Sequence, residues 1–244
     1  SIHLDAASST VITSFVKDNT LSYSFPEGTW SVISLWAVAA GSQTSIGAAP
    51  KPMTVVDHFD SLKELKLYDY LFGERTGLQP YFGNPMRAIF SDSYEFAVNR
   101  HYALSFIPYF LKKRGYDITP YLPANMQKGY NYVSYMRPNT QPDFSFSDQD
   151  WRLRYDYDIT LGEILGDQFF KTSKAWTEKR NLLFRTQAYC LNMDMIAMAG
   201  LASIPETESM LGSEANLKVM TSGALLYNRP IVSAESVVFS GRAY

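Results

Sequence analysis

Cysteine is almost absent from this chain. Cys190 is the only one among 244 residues, so no internal disulfide can form and the redox compartment stays open. Positive charge is not in excess either. The 22 Lys and Arg stand against 24 Asp and Glu, a net charge of -2, which offers no electrostatic attraction to a polyphosphate backbone and argues against nucleic acid as a partner. No run of about 18 apolar residues is present to span a bilayer. Only three His are available as bases and no GxSxG elbow occurs, which leaves serine-nucleophile chemistry weak. HExxH, CxxC and EF-hand spacings are missing, so transition-metal chemistry has no support. A GxGxxG turn and a P-loop are missing too, and with them the usual marks of a nucleotide-binding sheet. The opening stretch SIHLDAASSTVITSFV has neither a basic start nor an apolar signal core, and no initiator Met; a longer precursor is the expectation.

What is present is the composition of a globular protein: 46% hydrophobic, 19% charged, and 15% aromatic with 17 Tyr and 4 Trp. Tyr and Trp fill cores, and they also stack on sugar rings while their polar tips bind hydroxyls. Residues 9 to 40 alternate in the β manner around the turn PEGTW, which predicts a small antiparallel unit. GSQTSIGAAPKP follows as a loop or junction. We therefore expect a β-rich accessory segment and junction over residues 1–50.

From about residue 53, short apolar strands alternate with amphipathic helices, the mark of parallel β/α architecture. The expected strands are MTVVDHFD, MRAIFSDSYE, DITPYLP, NLLFRTQAYC and PIVSAESVVF. Expected helices lie at SLKELKLYDYLFGE, FAVNRHYALSFIPYFLKKRGY, DYDITLGEILGDQFFKTSKAWTEKR, around MDMIAMAGLA, and near EANLKVMTSGALLYN. Polar residues gather at the strand ends: Asp57 and His58, Asp92 and Glu95, Arg185 and Gln187, and Glu235. Chemistry at strand ends favours a (β/α)8 barrel over an open sheet, so an incomplete barrel is expected over residues 51–244.

Several of these residues carry two readings. In AIFSDSYEF, Glu95 at an aromatic strand mouth could hold a proton as a general acid, or Asp92 and Ser93 could cap a helix with Glu95 in its first turn. Glu235, in the β-branched run IVSAESVVF, would be costly there unless it opened into a site; the alternative is the solvent face of an edge strand. Glu206 and Glu208 in IPETES follow a Pro and suit the start of a helix. Arg185 and Gln187 point the same way from one strand and could donate to sugar hydroxyls or to a carboxylate. For Arg185 a buried salt bridge competes. Asp57, His58 and Asp60 form a possible oxygen-rich cation site, against a helix cap at Asp57.

DSYE, RGYDITPYLP, FRTQAY, IPETES and VSAES, in this order, resemble the motifs of glycoside hydrolase family 106, the α-L-rhamnosidases, over roughly residues 53 to 239. The resemblance implies a (β/α)8 catalytic domain with accessory β modules, an inverting mechanism, dependence on calcium, a rhamnose-containing carbohydrate as substrate, and a periplasmic or secreted location in a bacterium. It implies Glu95 as acid after the fourth barrel strand and Glu235 as base after the seventh, with Glu206 or Glu208 as the alternative base. DITPYLP would then be the fifth strand and FRTQAYC the sixth. Arg185 and Gln187 would hold the sugar, with Asp57 and His58 lining the pocket beside Asp92 and Tyr94. Tyr189 and Cys190 depart from the pattern, standing where the family typically has His-Gly. A retaining β-glycosidase of a related barrel family and a non-catalytic carbohydrate-binding relative stay open beside this reading, and the oligomeric state is not legible.

Overall fold

The computed structural model describes residues 2–39, 54–94, 98, 100–125, 142–189, 191–208 and 214–236. The helices are α1 (Ser61–Phe72), α2 (Phe106–Arg114), α3 (Asp150–Leu165), α4 (Lys171–Glu178), α5 (Met195–Leu201) and α6 (Glu214–Leu226). The strands longer than two residues are β1 (Ala88–Ser91), β2 (Leu183–Gln187), β3 (Ile204–Glu208) and β4 (Ser233–Glu235). The described residues form two compact units, one from residues 2–39, 98, 100–125 and 142–160, the other from 54–94, 161–189, 191–208 and 214–236.

The first unit departs from the expected antiparallel sheet. Among the described residues its antiparallel pairing is confined to Val16–Lys17 against Thr20–Leu21, closed by Asp18 and Asn19 at positive φ. Ile2–His3 pairs in parallel with Phe144–Ser145. The unit's core is helical, with Phe106, Phe110, Ile118 and Tyr157 fully buried and the rings of Phe106 and Tyr157 4.4 Å apart. Arg100 lies over the Tyr157 ring at 4.5 Å and pairs with Asp158. Helix α2 ends on Gly115 in the left-handed region, the usual helix stop. DITPYLP, expected as a strand, is a 3-10 helix over Thr119–Asn125. Pro120 and Pro123 have no N–H to give a ladder, and the turn is set instead by Thr119 donating to Asp117.

The second unit is α/β. Its strands form one parallel sheet in the order β1-β2-β3-β4. The two faces of that sheet differ sharply. Ile89 and Phe184 point to one side, where they join Tyr68 of α1, Phe169 and Phe170, Trp176 of α4, Met198 and Ala199 of α5 and Met220 of α6 in a single apolar cluster. By the two-residue alternation of a strand, Phe90, Arg185, Gln187, Glu206, Glu208, Ser233 and Glu235 share the opposite side.

A five-residue π-helical turn, Gly166–Phe170, joins α3 to α4. It carries two consecutive rings, Phe169 and Phe170, both buried, onto Phe184 at 5.7 and 6.0 Å. Helices α5 and α6 cross at glycines. A Cβ on Gly223 would come within 2.7 Å of the Ala199 side chain and 2.9 Å of the Ile196 carbonyl oxygen.

Three further expectations are corrected or left aside. IPETE is a strand and not a helix start. Residues 54–60 of MTVVDHFD form no strand. GSQTSIGAAPKP lies outside the described residues, as does Cys190.

Candidate active site on the charged face of the sheet

Register decides which side chains meet. Gln187 pairs with Glu206, Glu206 with Ser233, and Glu208 with Glu235, so the three glutamates of β3 and β4 stand side by side at the C-terminal ends of neighbouring strands. Adjacent strands run about 4.8 Å apart, close enough for direct hydrogen bonds between such side chains.

Glu206 is the most enclosed carboxylate of the group, at 1% exposure. Its Oε2 accepts from Arg185 Nε and from Ser233 Oγ, and its Oε1 accepts from Gln187 Nε2 at 3.1 Å. Burial alone would favour the protonated acid, but the hydrogen bonds from Arg185, Ser233 and Gln187 outweigh it and hold the carboxyl below its usual range. Arg185 is itself stacked 4.7 Å over the ring of Phe90, which fixes the plane of its guanidinium.

Gln187 is buried at 1%, and its amide nitrogen serves two carboxylates, Glu206 and, at 2.7 Å, Oε2 of Glu235. Because a carboxylate can only accept, the NH2 end must face both. Both hydrogens are thereby committed. Glu235 is half-buried at the end of β4. Glu208, also half-buried, accepts from the Tyr189 hydroxyl at 2.8 Å.

The site residues expected from sequence divide into those the sheet assembles and those it does not. Arg185, Gln187, Glu206 and Glu235 form one network, with Glu208 beside Glu235. Glu95 lies outside the described residues. Asp92 is exposed and accepts from the backbone N–H of Ser93 at 2.8 Å. Tyr94 turns to the apolar side: its ring is buried at 3% against Phe169 and Phe170, its hydroxyl bonded to Thr186, so its side chain is part of the core. Ser233 was not singled out from the sequence; two-residue spacing from Glu235 would have found it.

Asp57 and His58 serve the start of α1. Asp57 accepts from the Phe59 N–H and from Lys63 Nζ, while Asp60 caps the helix through Leu62 and Lys63. His58 Nδ1 lies 2.8 Å from Oε2 of the buried Glu64. The cation site that Asp57, His58 and Asp60 could have formed, the less favoured reading of this stretch, does not fit the side-chain positions. The Lys63 ammonium stands 3.3 Å from Asp57 and 3.4 Å from Asp60, in the place a divalent cation would need. Among the described residues no group of three or more His, Cys, Asp or Glu side chains converges as a metal site.

With this geometry in view, the family model described as alpha-L-rhamnosidase, glycoside hydrolase family 106, matches residues 3–244. The chain belongs to the family 106 α-L-rhamnosidases. A solved structure of a rhamnosidase from Novosphingobium sp. PP1Y is similar to this family member with a TM-score of 0.62 at 24% identity, over 80% of this chain and 19% of that one. At that identity the likeness speaks for the fold, and the rhamnosidase-family chain spans about a fifth of the Novosphingobium protein. No curated protein sequence matches it. Among the described residues, no helix of this family member is long and apolar enough to cross a membrane.

Proposed function

We propose that this family 106 chain contributes one wall of a (β/α)8 catalytic barrel that hydrolyses terminal α-L-rhamnosyl bonds with inversion, and that the charged face of the sheet is the barrel's interior. The observation that carries the reading is the hydrogen-bonded group Arg185, Gln187, Glu206, Ser233 and Glu235 at the C-terminal ends of parallel strands, where barrel enzymes build their sites. Counting AIFS as the fourth barrel strand, FRTQ becomes the fifth, IPETE the sixth and SAE the seventh. That count keeps Glu235 on the seventh strand and replaces the one that used DITPYLP, since β1 pairs directly with β2.

In an inverting hydrolysis one carboxylic acid protonates the departing glycosidic oxygen. A second carboxylate removes a proton from the water that attacks the anomeric carbon on the opposite ring face, with the two carboxyls roughly 6.5 to 9.5 Å apart. Glu95, following β1, takes the acid role in this reading. Of the candidate bases, Glu206 is excluded on physical grounds: it is buried and already accepts from three donors, which leaves at most one of its roughly four acceptor positions unused and no exposed face from which to meet a water. Glu235 has the opposite profile, half-buried and, among the described residues, held by the Gln187 amide alone, and is assigned as the base. Glu208, tied to Tyr189, borders the same mouth. A rhamnose-containing oligo- or polysaccharide outside the cytoplasm is the substrate class this reading implies.

The test is release of rhamnose from an aryl α-L-rhamnoside by the full-length protein, beside a panel of other aryl glycosides. Glu95→Gln and Glu235→Gln should each lower kcat by two orders of magnitude or more, as general acid–base groups do. Wild-type turnover of a β-glycoside but not the rhamnoside would overturn the substrate assignment, and full activity in Glu95→Gln would remove that residue from the mechanism.

A further inference from the structure

We infer that Gln187 is a positioning residue acting through Glu235, a single amide that aims the base and ties it to the fixed carboxylate of Glu206, and that it makes no contact with the sugar. The inference rests on the reading of Glu235 as the base. Three observations lead to it. Gln187 is buried at 1%, so a pyranose in the mouth cannot reach its side chain. Both N–H bonds are used, one on each glutamate, and the amide oxygen, without a partner among the described residues, is shut off from solvent, so neither end is open to a hydroxyl. And Glu206, the other acceptor, is itself immobilised from two further directions by Arg185 and Ser233.

The chain of restraint therefore has a direction. The Phe90 ring orients Arg185, Arg185 and Ser233 hold Glu206, Glu206 orients the Gln187 amide, and the amide's second hydrogen points at Oε2 of Glu235. A carboxylate that must take a proton from one water gains from a fixed aim, because a shift of about 1 Å at a reacting group can cost 100-fold in rate. The amide also separates two neighbouring negative charges. Without its donors, Glu206 and Glu235 would face each other across the sheet with nothing between them but repulsion.

Two measurements on the full-length protein test this. In steady-state kinetics on an aryl α-L-rhamnoside, Gln187→Met should lower kcat by about 100-fold with KM within about a factor of two. In the Glu235→Gln background the same change should add little, since the group it acts through is already lost. A raised KM with kcat intact would show a sugar contact, and additive losses would show that Gln187 acts elsewhere; either overturns the inference. Gln187→Leu, also uncharged and without N–H donors, should reproduce the kcat loss, which covers the case in which the Met variant folds poorly.

The second measurement needs no activity and so stands even if rhamnosides are not the substrate. Glu235→Gln, by removing one of the two facing charges, should restore part of the thermal midpoint lost in Gln187→Met. Midpoint losses that simply add would break the proposed link between Gln187 and Glu235, whatever the substrate proves to be.

Discussion

At Glu206, burial and charge pull in opposite directions. Its carboxyl is out of water, and what keeps it ionised is three donors from two different strands. A consequence in pH follows. Since the folded state holds this carboxyl below its ordinary 4.5, its contribution to stability is present above about that pH and is lost as pH falls through the lowered folded value. Denaturant titrations from pH 7 to pH 3 should show the wild type losing stability at the acid end, and Glu206→Gln should flatten that loss. At pH 7 the substitution should cost about 1–3 kcal/mol, because the buried donors facing it lose a charged acceptor. Arg185, with 39% of its side chain exposed, is screened by solvent and adds less than a fully buried partner would. Why the sequence set this residue at a helix start and not in a strand is also a matter of neighbours. Read along the chain, Pro-Glu-Thr-Glu suits a helix start; only across the strands do Arg185, Gln187 and Ser233 appear as the groups that make a charge tolerable in a sheet.

Among the elements, those whose signal is local were legible. Helices α1, α4, α5 and α6 lie where their apolar spacing puts them, and the strands in AIFS, FRTQ and SAE carry the expected apolar and β-branched neighbours. What failed was DITPYLP, where two prolines deny a ladder its donors, and the start of the second unit, where the hydrogen-bonding residues of VVDHFD are spent on capping α1. The close crossing of α5 and α6 was not visible either, because a glycine in a helix reads only as a weak helix former. Gly223→Ala tests it. The added methyl would meet the Ala199 side chain and the Ile196 carbonyl oxygen, so the substitution should destabilise by about 1–3 kcal/mol despite the better helix propensity of Ala. At the sheet, Phe184→Ala should cost about 3–5 kcal/mol, since Phe184 is fully buried against the π-turn phenylalanines. Chemical denaturation reads both.

On the scale of the whole molecule, the sequence carried the alternation of strand and helix and most of the residues that meet on the sheet. It did not carry the order of strand pairing, because register depends on contacts between segments about twenty or more residues apart, such as Gln187 with Glu206 and with Glu235. The proposed chemistry makes one prediction here. If attack comes from the face opposite the leaving group, proton NMR of the first sugar released by the full-length protein should show β-L-rhamnose before mutarotation scrambles it; the α anomer appearing first would instead select a retaining mechanism.

The helices of the second unit cover one side of the sheet, and the ionised network lies wholly on the other. Packing and chemistry are thus written on alternate residues of the same four segments, with buried Glu206 and Gln187 belonging to both. A protein engineer or a drifting lineage could therefore retune melting behaviour from the apolar side while largely sparing reactivity, but not the reverse.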